Sequence, residues 1–236
     1  MSVSNIEIRT LDPKTEEEES ILKAQEVFKI SFSTSYRKLA NRNEEAKQAI
    51  IESGQDSDFE TALSNFLDAA FEDEIDAYNG TKHNIEGDEK TLFYAVYNSE
   101  KEMIGYLGVD ISNEGKTTYL RQMAIHPEYA GQGIGTKLLD HVILQHPNVE
   151  NIDCATRHWN IPAINFYKRL GYKAEPEAAH GLNPDRYIGL RQDTRPRRLQ
   201  LEYSTATAQR LPNTTGEATS TANRNRNVPR TSTMSI

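Results

Sequence analysis

Met123-Ala-Ile-His-Pro-Glu-Tyr-Ala-Gly-Gln-Gly-Ile-Gly-Thr-Lys-Leu-Leu139 is the stretch on which the reading of this chain turns. It has the form of a strand end, a short glycine-rich turn and the start of an amphipathic helix. Tyr119, Met123 and Ile125, with the β-branched Thr117 and Thr118, suit a pleated strand. Pro127 ends the pairing because it lacks a backbone donor. Gly131, Gly133 and Gly135 follow at alternate positions, and without a Cβ their backbone can come close to a ligand. Ile134, Leu138 and Val142, beside Leu139 and Ile143, then recur as one face of a helix. The amino end of a helix offers unpaired N–H groups and the positive end of the dipole. Strand, glycine turn and helix therefore make a site for an anion, most simply a phosphate.

The spacing of the glycines is not G-x-G-x-x-G, and no G-K-[ST] follows. Dinucleotide-binding and P-loop readings are therefore poor.

Upstream of this stretch the period is that of strands. Residues 91–97 are apolar on both faces, as in a strand covered on both sides. Residues 103–111 form the next strand, with Gly105 and Gly108 inside it, and turns near 98–101 and 113–115 join these to 117–125 as an antiparallel meander. Further upstream the period becomes helical. The acidic run 16–19 suits the first turn of a helix that carries Ile21, Leu22, Val27 and Phe28. Residues 43–52 are a shorter helix candidate. Ser57 and Glu60 have capping-box spacing ahead of a stripe of Phe59, Leu63, Phe66, Leu67, Phe71 and Ile75, which reads as core. Asn79-Gly80 closes it, 80–90 reads as a polar loop, and 5–11 are a candidate first strand.

Downstream, His146-Pro147-Asn148 breaks the chain after the helix of 133–145. Residues 152–156 are a strand, and 160–170 a second helix with Asn160 as cap, Pro162 in the first turn and Gly171 just past the end. Residues 172–175 and 186–190 are candidate strands. Past 191 the composition turns to Thr, Ser, Asn and Arg with no period, so 1–191 are read as one folded domain and 192–236 as a largely disordered tail, with residues 199–203 as its one docking candidate.

The chain of 236 residues carries a net charge of −8. Residues 192–236 hold seven Arg against three acidic residues, a net of +4, which leaves −12 on the remainder. An acidic body argues against nucleic acid as partner and favours a cationic acceptor. The single cysteine, Cys154, excludes an internal disulfide framework and a cysteine-rich zinc site. No apolar run reaches membrane length, and the chain reads as cytoplasmic, without metal, as a monomer or homodimer.

Gly133-x-Gly135 opening a helix after Met-Ala-Ile-His-Pro resembles the acetyl-CoA-binding loop of the GNAT superfamily of N-acetyltransferases. Ala130 stands where that family usually has Arg or Gln, which leaves the backbone donors of the cradle. A second segment, Asn160-Ile-Pro-Ala163-Ile-Asn-Phe166-Tyr167-Lys-Arg-Leu170-Gly171-Tyr172, is similar to the family's N-x-x-A-x-x-F-Y-x-x-x-G-[FY] pattern at the family's distance from the loop.

The resemblance covers about 91–190 well and the N-terminal helices loosely. It implies an α/β fold of the α+β kind: a mixed, strongly twisted sheet with helices on both faces, whose strands 117–125 and 152–156 splay apart around the pantetheine arm of acetyl-CoA. It places Gly131, Gln132, Gly133, Gly135 and Thr136 at the pyrophosphate, the backbone of Met123, Ala124 and Ile125 along the arm, and Asn160 as a further hydrogen-bond partner of the arm. A β-bulge near residues 122–124 is expected to aim an N–H at the acetyl carbonyl.

The implied chemistry is direct attack of a primary amine on the thioester, with Tyr167 as proton donor to the leaving thiolate. The base is not legible: His126, His158, Glu128 and Asp153 are the nearby candidates in sequence. A covalent route through Cys154 is the weaker alternative to its being a small buried residue. The acceptor is a small cationic amine or a protein lysine or N-terminus. Glu72, Asp73, Glu74 and Asp76 favour a polyamine, or are simply a solvated helix face. The competing reading is a non-catalytic acyl-CoA-binding scaffold whose tail recruits a partner.

Overall fold

The computed structural model describes residues 5–11, 18–79, 90–112 and 115–210. Seven strands form one sheet in the order β1-β2-β3-β4-β5-β7-β6. They are β1 (Glu7–Leu11), β2 (Lys90–Tyr97), β3 (Met103–Ile111), β4 (Thr117–Ile125), β5 (Asn151–Arg157), β6 (Lys173–Ala174) and β7 (Tyr187–Asp193). All neighbours are antiparallel except β4 and β5. The helices are α1 (Glu18–Ala40), α2 (Glu44–Gly54), α3 (Phe59–Tyr78), α4 (Ile134–Gln145), α5 (Ile161–Arg169) and α6 (Arg195–Arg210).

Alternation along the strands sorts side chains onto two faces. Phe93, Ala95, Tyr106 and Ala124 meet Val27, Phe28, Leu63, Leu67 and Phe71 of α1 and α3 in one buried cluster. Tyr94, Val96, Leu107, Val109 and Leu120 meet Ile134, Leu138, Leu139, Val142 and Ile143 of α4 in the other, with Phe166 and Tyr167 of α5 packed against it. The two-faced burial expected of 91–97 follows from this double cover, and the helical stripe of 59–75 is core as expected.

Two local expectations are corrected. The cap of α3 is Asp58, not Ser57: the helix starts at Phe59, and the Asp58 carboxylate accepts from Thr61 N at 3.0 Å. The bulge in β4 lies at Arg121, just before 122–124. The register passes from Gly108↔Gln122 to Val109↔Leu120 and leaves Arg121 without a partner on β3.

The end of the chain differs more. Order does not stop at 191. β7 runs on to Asp193, and α6 continues to Arg210. What fixes the start of α6 is charge rather than an apolar stripe, which is why composition missed it. Arg197 pairs with Asp140 at 2.7 Å. Arg198 donates to the carbonyls of Ile143, His146 and Val149, where α4 ends and its orphan carbonyls need donors. Leu201 packs against the α4-side core, whereas Leu199 and Tyr203 are exposed. Residues 211–236, positions 80–89 of the expected 80–90 loop and the acidic positions 16 and 17 lie outside the described residues, and Lys90 already opens β2.

Candidate active site

β4 and β5 pair only from Thr117↔Asn151 to Leu120↔Cys154. Beyond that point β4 stays with β3, and β5 stays with β7 through Arg157↔Tyr187. The two strands separate, and the edge of β4 from Arg121 onward faces the gap with amides and carbonyls that β5 does not take. A cavity of about 800 Å³ occupies the gap and runs on beneath α1 and α3. Met123 of β4 lines it together with Asn160, Ala163, Phe166 and Tyr167 at the start and along α5. Ala70 and Glu74 of α3, with Arg121 and Gln122 of β4, line its α3 side.

The glycine turn adjoins this cavity without lining it. Gly133 caps α4 at φ +80, and Gly131 stands at φ +75, a region that favours glycine. No side chain caps α4, and open space surrounds the missing Cβ of both glycines. The first-turn amides of α4 are thus unshielded, an arrangement that fits a phosphate. Gly135 has another role: a Cβ there would come within 3.2 Å of Phe166 and 3.4 Å of Met123, so it lets α4 approach the cavity wall. Gln132 donates to the Glu128 carbonyl at 3.0 Å and braces the turn.

Met123, Asn160 and Tyr167 are brought together on one cavity, whereas Ala124 is buried against the α1–α3 core and Ile125 packs on the α4 side. Asn160 caps α5 by accepting from Ala163 N at 3.3 Å, which leaves its amide hydrogens to donate elsewhere. Burial, with Cys154 and Tyr119 close by, raises the Tyr167 hydroxyl well above its ordinary pKa. It is a phenol at neutral pH and a potential donor.

None of the four base candidates lines the cavity. His126 accepts from Glu128 N at 3.4 Å and shapes the turn after β4. His158 is exposed and lies 2.8 Å from the Pro184 carbonyl. Glu128 is exposed. Asp153 is buried and committed: Arg191 reaches both its oxygens at 2.7 Å, and His180 one of them at 2.9 Å. Cys154 is buried in the α4-side core, and burial pushes its thiol up, so a covalent route has no accessible thiolate.

Sequence reasoning missed a buried charged group on the α3 wall. The bulge turns Arg121 and Gln122, consecutive in sequence, to the same face. Arg121 donates to Asp110 at 3.0 Å and to the Asp73 carbonyl at 3.2 Å, and Gln122 donates to the Ala70 carbonyl at 3.4 Å. Glu74 joins them, with its Oε1 3.3 Å from Arg121 Nε at ion-pair distance but without hydrogen-bond alignment. The side chains of Arg121, Glu74 and Asp110 are only 2%, 5% and 0% exposed. One signal was available: Glu74 falls at helical spacing from Leu67, Ala70 and Phe71, on the apolar stripe, where a carboxylate is rare. Its neighbours Glu72, Asp73 and Asp76 are exposed, so the solvated-face reading holds for them alone.

Among the described residues no cluster of His, Cys, Asp or Glu stands as a metal site, and no helix is long and apolar enough to cross a membrane.

Comparison with known proteins fits this geometry. The uncharacterized N-acetyltransferase ycf52 of Gracilaria tenuistipitata var. liui is 32% identical over 92 residues, 39% of this chain and 49% of that protein. The thialysine N-epsilon-acetyltransferase of Mus musculus is 37% identical over 59 residues, 24% of this chain and 35% of that protein. The chain thus spans about half, or less, of the length of these curated relatives. The crystal structure of PaiA N-acetyltransferase from Thermoplasma acidophilum in complex with coenzyme A shares the fold at a TM-score of 0.50 and 18% identity, covering 80% of this chain and 99% of that one. The sequence profile of the acetyltransferase (GNAT) family matches residues 53–172, just over half the chain, from the end of α2 through the glycine turn, the splayed strands and α5. The chain belongs to the acetyltransferase (GNAT) family.

Proposed function

We propose that the gap between β4 and β5 is the active site of an N-acetyltransferase that moves the acetyl group of acetyl-CoA to a primary amine by direct attack in a ternary complex. The observation that carries this reading is the loss of β4–β5 pairing after Leu120 and Cys154. It leaves one strand edge, Tyr167 and Asn160 around a single cavity beside the uncapped start of α4. In this reading the amides of Gly131, Gln132, Gly133, Gly135 and Thr136 hold the pyrophosphate, and the backbone of Met123, Ala124 and Ile125 extends along the amide-rich arm like a paired strand. Asn160 donates to the arm. Tyr167, held as a phenol by burial, gives its proton to the departing sulfur.

The cavity continues past the strands to α1 and α3, which supports an acceptor entering from that side. The test is release of free thiol from acetyl-CoA by the purified chain against an amine panel. The panel includes thialysine, the acceptor in the name of the mouse relative, together with polyamines and peptide amines. Thiol release with at least one amine is expected, and Tyr167→Phe is expected to lower kcat by about 10-fold or more while leaving coenzyme A affinity unchanged. Calorimetric binding of coenzyme A without thiol release for every amine favours a non-catalytic acyl-CoA-binding scaffold instead.

A further inference from the structure

Glu74 is the one acidic side chain of α3 between 72 and 76 that is buried, and its position is built for. It lies over Gly108 of β3, where a Cβ would come within 2.9 Å of its Oε2. Gly108 is the Cα partner of Gln122, the residue after the bulge. The carboxylate therefore sits across one strand from the β4 edge that faces the gap. Oε2 is buried and has no hydrogen-bond partner among the described residues.

Arg121 does not satisfy it. That guanidinium is aligned on Asp110 through Nη1 and on the Asp73 carbonyl through Nη2, and its Nε lies at ion-pair distance from Oε1 without alignment. A buried carboxylate oxygen without a donor is unfavourable. It is tolerated where a ligand supplies the donor.

We propose that Glu74 is the proton acceptor of the acetyl-transfer site and the residue that selects an ammonium-bearing acceptor. The proposal rests on the acetyltransferase reading above and assigns the base which that reading leaves open. An incoming ammonium donates to the unpartnered oxygen, and Glu74 takes one of its protons. The freed nitrogen lone pair forms the new C–N bond at the acetyl carbon. The C–S bond breaks with its electron pair on sulfur, Tyr167 protonates the sulfur, and the second proton lost by nitrogen passes through solvent to restore the Tyr167 phenol. Ammonium and thioester become amide and thiol, with one net proton released through Glu74. The two proton-handling groups line one cavity from different elements, Glu74 on α3 and Tyr167 on α5.

Burial, opposed in part by Arg121, raises the Glu74 carboxyl to about 7, which suits a base at neutral pH. The charged and titratable groups around it are Arg121 and Tyr119 on β4, Asp110 and Tyr106 on β3, Asp73 on α3, and, at the cavity rim, Lys38 of α1 and Arg42 just past its end.

The experiment compares wild type and Glu74→Gln with acetyl-CoA and the best amine of the panel, between pH 5.5 and 9, beside calorimetric binding of coenzyme A and a thermal melt. The expected result is a kcat about 100-fold or more lower at pH 7, with coenzyme A affinity and a cooperative melt retained. The acidic limb of the wild-type profile, with an apparent pKa near 7, is lost in the variant. If Glu74→Gln does not melt cooperatively, Glu74→Asp, which keeps the charge and withdraws it by one methylene, reads the same loss. A variant turning over within about 3-fold of wild type with the same acidic limb overturns the assignment of Glu74 alone. A wild type that releases thiol to no amine overturns the acetyltransferase reading and this proposal with it.

Discussion

Asp153 on β5 and Glu74 on α3 are both buried carboxylates beside an arginine, and the protein treats them in opposite ways. Asp153 has both oxygens covered, by the fork of Arg191 and by His180. Burial alone would raise its pKa, but the hydrogen bonds and charge of Arg191 and His180 outweigh burial and hold it below the ordinary value. Glu74 faces an arginine whose terminal nitrogens point elsewhere, and burial prevails, raising it to about 7. Burial is common to both, so what separates a structural carboxylate from a chemically available one is whether its lone pairs are already used. The first ties β5 to β7 and to the loop carrying His180. The second lines the cavity, with its unpartnered oxygen over Gly108.

The contrast breaks most readily at Asp153. Asp153→Asn leaves Arg191 without a counter-charge and is expected to destabilise the fold by roughly 3 kcal/mol, the low end for a broken buried pair because Arg191 remains 34% exposed. A chemical denaturation midpoint unchanged by this substitution would remove the distinction.

Arg198 is an intermediate case, a cation spent on neutral carbonyls. Arg198→Ala is expected to cost about 1–2 kcal/mol and to loosen α6 from α4, which hydrogen exchange of 195–207 reads directly. Unchanged protection there means that α6 is held by Leu201 and Arg197 instead.

Glu74→Gln is expected to have its smallest effect on stability below pH 4.5, and the effect grows with pH. The folded chain keeps a proton on Glu74 between the ordinary value of 4.5 and about 7 that the unfolded chain has released. This contribution is complete below 4.5 and is lost as pH rises through 7. Relative to wild type, the variant therefore gains stability across that window. Asp153 works the other way: its contribution is present above its ordinary 3.8 and is lost as pH falls through its lowered value. Denaturation curves at intervals from pH 3 to 8 separate the two, and identical pH dependence in wild type and Glu74→Gln contradicts the unpaired state of that carboxylate.

The parts built from backbone were legible in the residues. Glycine at 131 and 133, the meander from β2 to β4 and the Asn160 cap each depend on near neighbours in the chain, so spacing and residue type were enough to read them. The bulge was expected one residue late because register depends on a partner strand. The order of 195–210 was missed because its anchors, Asp140 and the end of α4, lie about fifty residues away.

By itself, the sequence determined the order of strands and helices as far as β7, the glycine turn opening α4, and the resemblance that implies a place near a cofactor for Tyr167 and Asn160. Only the tertiary structure decided which charged side chains go inside. It set Asp153 into a closed pair, left His126 and His158 off the cavity wall, and brought Glu74, Arg121 and Gln122 from α3 and β4 onto one cavity. The physical reason is that a main-chain cradle is specified by local dihedral preferences, whereas the availability of a carboxylate is set by donors that arrive from distant segments.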